Sequence, residues 1–184
     1  MKALKETHDL TLRWRSFELR PAGAPPIPDD YRQYIETVGR PRFNQIMREQ
    51  HGIEVHPGPF GISSRDALVG EKIADAYGFG EAFHDLVTRA YWDEAKDISD
   101  RMVLRTLAEV SGLDGERFLT LLDDPQYDAL VSEDVALARQ LGLSGVPALV
   151  FAGRYLVSGA QPVDVLRQVV ERVQAETEGR PRKA

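Results

Sequence analysis

Between residues 29 and 141 the chain presents one amphipathic helical stripe after another, and only its two ends carry strand-like patterns. This arrangement restricts the fold more than any motif, because a sheet must be assembled from the two ends around a long helical interlude. Residues 29–38 form a first helical segment closed by Gly39, and 41–50 form a second that opens on Pro41 and aligns Phe43, Ile46 and Met47. A Gly/Pro-rich connection, 51–62, leads to Ser63-Ser64-Arg65-Asp66, which has the form of a capping box ahead of Val69, Ile73, Ala76 and Tyr77. Phe83, Leu86, Val87, Ala90 and Tyr91 mark the next helix. Acidic residues at 97–100 cap one carrying Val103, Leu104, Leu107 and Ala108, and Asp114 starts a short one with Phe118 and Leu121 inward. The last, 125–141, places Tyr127, Leu130, Val131, Val135 and Ala138 on its stripe, and Gly142 stands where a left-handed cap favours glycine.

The ends differ in texture. Residues 1–7 suit a short helical piece, after which Leu10, Leu12 and Trp14 alternate with polar residues at strand period. The phase flips at Ser16, since Phe17 and Leu19 are apolar, which predicts a bulge or the strand end. Trp14 and Phe17 are expected in the core. Pro21, Pro25, Pro26 and Pro28 make the following stretch unfit for helix or central strand. Near the other end, Ala148-Leu149-Val150-Phe151-Ala152 is an unbroken apolar run of strand length, expected to be buried; Gly153 turns it, and 154–158 reads as the return strand. Pro162 then opens a helix carrying Val163, Leu166, Val170 and Val173. Residues 177–184, charged and containing Gly179 and Pro181, are expected to form a disordered tail.

The chain contains no cysteine, which removes disulfides, zinc–thiolate sites, iron–sulfur clusters and any cysteine nucleophile within these residues. His8, His51, His56 and His84 show neither an i, i+4 pair nor an H-E-x-x-H pattern, so no metal site is expected. Ser63-Ser64 lacks a G-x-S-x-G setting, and Gly58, Gly61, Gly78 and Gly80 do not make a dinucleotide loop. With 23 basic and 29 acidic side chains and no concentrated basic face, a nucleic-acid partner is not expected. No apolar run reaches the roughly 18 residues of a membrane span, and residues 1–10 lack a secretory layout, so a cytoplasmic location without a membrane partner is expected.

One local feature stands out. Ser144-Gly145-Val146-Pro147 lies between a capped helix and a strand. Position alone favours a plain loop-to-strand boundary, because only about 5–6% of X-Pro bonds are cis. The alternative is a cis bond that turns the chain and leaves the backbone of Val146 unpaired and exposed.

The stretch Gly145-Val146-Pro147-Ala148-Leu149-Val150, followed by Gly153-Arg154-Tyr155-Leu156-Val157-Ser158-Gly159-Ala160-Gln161-Pro162, resembles the C-terminal end of the DsbA-like thioredoxin-fold family, in particular its cytoplasmic FrnE-type branch. Trp14-Arg15-Ser16-Phe17-Glu18-Leu19-Arg20-Pro21 resembles the end of that family's second strand. Phe83-His84 through Ala90-Tyr91-Trp92, with Asp97-Ile98-Ser99-Asp100 and Gly112-Leu113-Asp114, resembles its helical insertion. The resemblance implies an α/β fold: a thioredoxin-like sheet with a large all-helical insertion and its first strand missing. Residues 1–28 and 126–176 would form an incomplete thioredoxin-like domain, and 29–125 the insertion, which would cover the active site; its Tyr91-Trp92 pair is explained by helix packing alone.

Family members open with a strand and a C-x-x-C turn, sometimes a serine variant, at the start of the first helix. Residues 1–7 resemble the end of that helix, so the expectation is a late-assigned start or truncation, with Met1 internal and no catalytic residue in this chain. By resemblance, Gly145, Val146 and cis Pro147 bind substrate, the Val146 backbone pairing a peptide or thiol. The implied activity is thiol–disulfide oxidoreduction on a peptide or thiol/disulfide substrate. Glutathione or a protein dithiol would be co-substrate, and no bound cofactor is expected. Two alternatives stand: a glutathione-dependent enzyme like the 2-hydroxychromene-2-carboxylate isomerases, which place a serine at the first cysteine, and a non-catalytic thioredoxin-fold binding protein. A missing interior strand would leave backbone groups costing about 1–3 kcal/mol each if buried unpaired. Upstream residues, pairing of 10–17 with 148–152, or a strand lent by a partner would answer that cost, and an open edge allows a homodimer.

Overall fold

Pro41 decides the shape of the first long helical stretch. Proline has no N–H to give the carbonyl four residues back, and its ring collides with that carbonyl. Helix α2 (Asp29–Tyr34) therefore passes into a π-helical turn (Ile35–Gly39), and the chain continues without a break into α3 (Arg40–His51). The Arg40 N–H donates to the Ile35 carbonyl, one residue further back than in an α-helix. The break expected at Gly39 does not occur: Gly39 has a helical φ of −63°. The computed structural model describes residues 2–21 and 23–178. Its other elements are α1 (Lys2–Lys5), α4 (Arg65–Ala76), α5 (Gly80–Trp92), α6 (Arg101–Ser111), α7 (Gly115–Leu121), α8 (Pro125–Gln140), β1 (Ala148–Phe151), β2 (Tyr155–Ser158) and α9 (Val163–Glu178). Of the expected tail, 177–178 close α9, and 179–184 lie outside the described residues.

The chain divides into two compact units, Glu18–Val135 and the remainder on either side, the second boundary falling within α8. In the Glu18–Val135 unit the stripes of α4 to α8 meet. Phe83 and Phe118 are fully enclosed with ring centroids 5.5 Å apart, surrounded by Val69, Ile73, Leu104 and Val131. Gly70 lets α4 approach both rings, since a Cβ there would lie 2.8 Å from Phe118 and 3.0 Å from Phe83. Asp100 and Asp114 cap α6 and α7 as their positions predict, accepting from the N–H groups of Met102 and Arg117.

The capping box does not form. Ser64 makes no side-chain cap, and Ser63 Oγ accepts from Arg65 N instead. Asp66, the acidic member, is held by Arg101 at 2.7 Å, and Arg101 also takes Asp123 at 2.8 Å. Two stripes also differ from expectation. Ala76 and Leu130 are exposed, while Ala74 and the charged Asp134 are buried. Asp134 is tolerated inside because Lys72 from α4 meets it at 2.6 Å. Arg65 links the start of α4 to α8 through Asp128 (2.7 Å) and Ser132 (2.7 Å), and reaches Glu18 at 2.9 Å.

In the other unit, α9 turns Leu166 and Val170 inward, and α1 contributes the fully buried Leu4. The sheet among the described residues has two antiparallel strands, with Ala148 opposite Ser158 and Phe151 opposite Tyr155. Residues 10–19 are not a strand; Trp14 and Leu19 are exposed, and Leu12 is half-buried. Apolar alternation defines a face but supplies no ladder, and the pairing of 10–17 with 148–152 does not occur among the described residues. Val150 and Leu156 are direct cross-strand partners and so share one face of the hairpin, and both are exposed rather than buried. Among the described residues the architecture is mostly helical, with a small two-stranded sheet.

Candidate functional site

The loop into β1 is fixed at both ends by backbone geometry. At its start α8 finishes in a reverse turn: Gly142 has φ +69°, its N–H donates to Arg139 O, and Leu143 N–H donates to Ala138 O. At its far end the Gly159 N–H donates to Pro147 O at 2.8 Å, so the residue after β2 holds the residue before β1. The hairpin is closed by Ala152 (φ +50°) and Gly153 (φ +65°), two successive left-handed residues matching the twist of the strands.

Between these anchors lie Gly145, Val146 and Pro147. The Val146–Pro147 peptide bond is cis. Val146 is 56% exposed, and among the described residues no hydrogen bond engages its N–H or C=O. Gly145 has no positive φ, and a Cβ added to it would meet nothing within 4 Å. The fold itself therefore does not require glycine at 145. Glycine where the chain could accept a side chain is the residue that lets another molecule approach the backbone. The three residues singled out by the sequence thus form one continuous displayed segment, with an open acceptor and donor at Val146.

Other candidate groups serve the fold. At the opposite end of the hairpin, Tyr155 O–H donates to Glu176, and Arg154 and Arg172 reach the same carboxylate at 2.9 and 3.2 Å. These partners, the Tyr155 hydroxyl first, hold the Glu176 carboxyl below its ordinary range. His84 bonds Glu71 at 2.9 Å, which raises its pKa despite desolvation, and His8 bonds Thr7 Oγ1 at 2.8 Å. Trp14 is exposed rather than core, and Phe17 is half-buried. Trp92 packs on Phe43 at 5.7 Å between ring centroids. A concavity of about 180 Å³ in the Glu18–Val135 unit is walled by Ile73, Tyr77, Phe79, Phe118 and Leu121. Its Asp114 is spent on capping α7, and its Arg117 stacks 5.2 Å over Tyr77.

The sequence argument missed the Lys72–Asp134 pair. Its signal was present: Tyr127, Val131, Asp134 and Ala138 follow helical spacing, so an acid at 134 sits on the buried face and needs a partner.

Residues 1–171 match the family model described as the DSBA-like thioredoxin domain. A probable DsbA oxidoreductase from Streptomyces coelicolor superposes with a TM-score of 0.72 at 30% identity, over 92% of this chain and 77% of that one. A 2-hydroxychromene-2-carboxylate isomerase gives 0.74 at 20% identity, over 96% and 88% of the two chains. The cytosolic disulfide reductase DsbM from Pseudomonas aeruginosa, solved with GSH, gives 0.58 at 22% identity, over 94% and 89%. No helix among the described residues is long and apolar enough to cross a membrane. The family match, running through the displayed loop and the hairpin behind it, places this cysteine-free chain in the DsbA-like thioredoxin family of thiol–disulfide oxidoreductases.

Proposed function

We propose that this chain binds the backbone of a cysteine-containing peptide, or of glutathione, along Gly145-Val146-Pro147, as the substrate-binding body of a DsbA-type oxidoreductase. The observation that carries this is exposed Val146, whose N–H and C=O are both unengaged among the described residues. An extended ligand can pair with it as a strand adds to a sheet edge. Two such bonds contribute about 1–3 kcal/mol net. Since 1 mM affinity already corresponds to about 4 kcal/mol, the loop alone binds weakly and selects by backbone geometry rather than by strength.

Dithiol exchange requires thiolates, and these 184 residues hold none. This chain by itself therefore binds without redox turnover, and any exchange draws its thiolates from the substrate or from residues beyond it. The glutathione held by DsbM supports a glutathione-sized ligand, and the cytosolic description of that neighbour supports a cytoplasmic location. A second reading, a glutathione-dependent isomerase, is favoured by the absence of cysteine together with the likeness to the 2-hydroxychromene-2-carboxylate isomerase.

The test is equilibrium dialysis of glutathione and of a short cysteine-containing peptide against the chain and its Gly145→Val variant, beside an insulin-reduction assay. Weak binding that the variant loses, with no reduction above background, is expected. Equal binding by both proteins, or measurable reduction by this chain, would overturn the proposal. Turnover of a 2-hydroxychromene-2-carboxylate with glutathione would select the second reading.

A further inference from the structure

Helices α4 and α6 are each followed by a left-handed glycine, Gly78 with φ +83° and Gly112 with φ +110°. Each reversal is closed by the next residue: Phe79 N–H donates to Ala74 O at 2.8 Å, and Leu113 N–H donates to Ala108 O at 2.9 Å. The two reversals bring Phe79 and Leu113 to the hollow of about 180 Å³ in the Glu18–Val135 unit. Ile73 and Phe118, fully buried, form its floor, and half-buried Phe79, Leu113 and Leu121 form its walls.

None of these side chains carries a hydrogen-bonding group. Water is held in a cavity only where several polar groups receive it, so these walls are poorly solvated. Interiors ordinarily close such spaces, because unfilled volume costs stability in proportion to its size. Here local geometry keeps the walls apart. A Cβ at Gly112 would lie 2.8 Å from the Phe79 ring, so the missing side chain gives that ring its place beside the hollow. At the mouth the Arg117 guanidinium lies 5.2 Å over the exposed ring of Tyr77, and cation–π attraction holds the ring there.

Charge at the mouth is balanced. Asp114 accepts from the Arg117 N–H at 2.7 Å, and the Arg117 guanidinium, of opposite sign, faces Tyr77. Neither sign of ligand is favoured, and an ion entering among apolar walls would lose its hydration. An apolar cavity of about 150 Å³ takes up benzene, so this hollow has the size for one ring. Three of its lining residues, Tyr77, Phe79 and Phe118, are aromatic, which favours an aromatic guest through offset and edge-to-face contacts.

We propose that the hollow formed by the ends of α4 and α6 and the side of α7 binds an uncharged, single-ring aromatic small molecule. The site is preformed, and it shares no residue with Gly145-Val146-Pro147. It stands whether or not that loop binds a peptide.

Methyl NMR of the isoleucine- and leucine-labelled chain tests it, with toluene as the probe. Saturable shifts are expected at Ile73, Leu113 and Leu121. Benzoate, the same ring with a charge, should bind weaker by about tenfold or more. Leu121→Phe, which fills the hollow, should weaken toluene binding by about tenfold or more with an unchanged circular dichroism spectrum. Leu121→Ala, which enlarges it, should keep toluene and gain affinity for p-xylene. Absence of shifts up to the solubility limit of toluene overturns the proposal. So does equal binding of benzoate, or toluene affinity that neither Leu121 variant moves. N-acetylphenylalaninamide carries the ring on a peptide backbone. Tighter binding of that compound than of toluene would overturn a free small molecule in favour of an aromatic side chain.

Discussion

Lys72 and Asp134 show what single residues contribute to this fold. Their side chains are 11% and 2% exposed and meet at 2.6 Å. Breaking a buried pair by removing one member costs about 3–5 kcal/mol. Lys72→Met should lower stability by that amount in urea denaturation, and a loss under about 1 kcal/mol would show that Asp134 is satisfied by other groups. His84 makes a pH-dependent contribution. The hydrogen bond that its ring N–H donates to the Glu71 carboxylate raises its pKa above the ordinary value near 6.5, outweighing desolvation. A histidine raised in the folded state stabilises fully below 6.5, and this contribution fades as pH rises through the higher folded value. Melting temperature should therefore fall as pH climbs just above 6.5, and Glu71→Gln should flatten that slope.

At the scale of elements, close approach is set by glycine. Gly70 admits the rings of Phe83 and Phe118 against α4, so Gly70→Ala should cost about 1–3 kcal/mol by overpacking, measurable by thermal denaturation. Pro41→Ala is the complementary case. It restores an N–H and removes the ring that favours the π-helical turn, so helix content, read by circular dichroism, should hold or rise. These examples also mark which elements the sequence announces. The stripes of α4 to α8 were legible because burial at 3.6-residue spacing leaves a periodic trace, and so were Gly142 and the Gly153 hairpin, whose positive φ values favour glycine. Residues 10–19 misled because alternation describes a face and cannot say whether a ladder partner exists. Pro41 reads locally as a break, whereas the chain absorbs it by widening one turn. The capping box failed because Asp66 found Arg101, 35 positions away, a competition invisible to local spacing.

For the whole molecule, the helical Glu18–Val135 unit accounts for the Phe83–Phe118 core, and the displayed loop belongs to the other unit. The loop was the part of the candidate site legible in advance, because Gly145-Val146-Pro147 combines a distinctive local sequence with family resemblance. What sequence could not supply is that, among the described residues, nothing pairs with the backbone of Val146 and nothing would meet a side chain at 145, since both facts depend on what surrounds the loop. The proposed role separates binding from chemistry: the backbone at Val146 recognises the ligand, and reactive sulfur comes from elsewhere. Amide chemical shifts of the ¹⁵N-labelled chain during titration with oxidised glutathione test that separation most directly. The account predicts saturable shifts concentrated at Gly145, Val146 and Ala148, abolished by Gly145→Val. Shifts confined to other parts of the chain, or none at millimolar ligand, would contradict it.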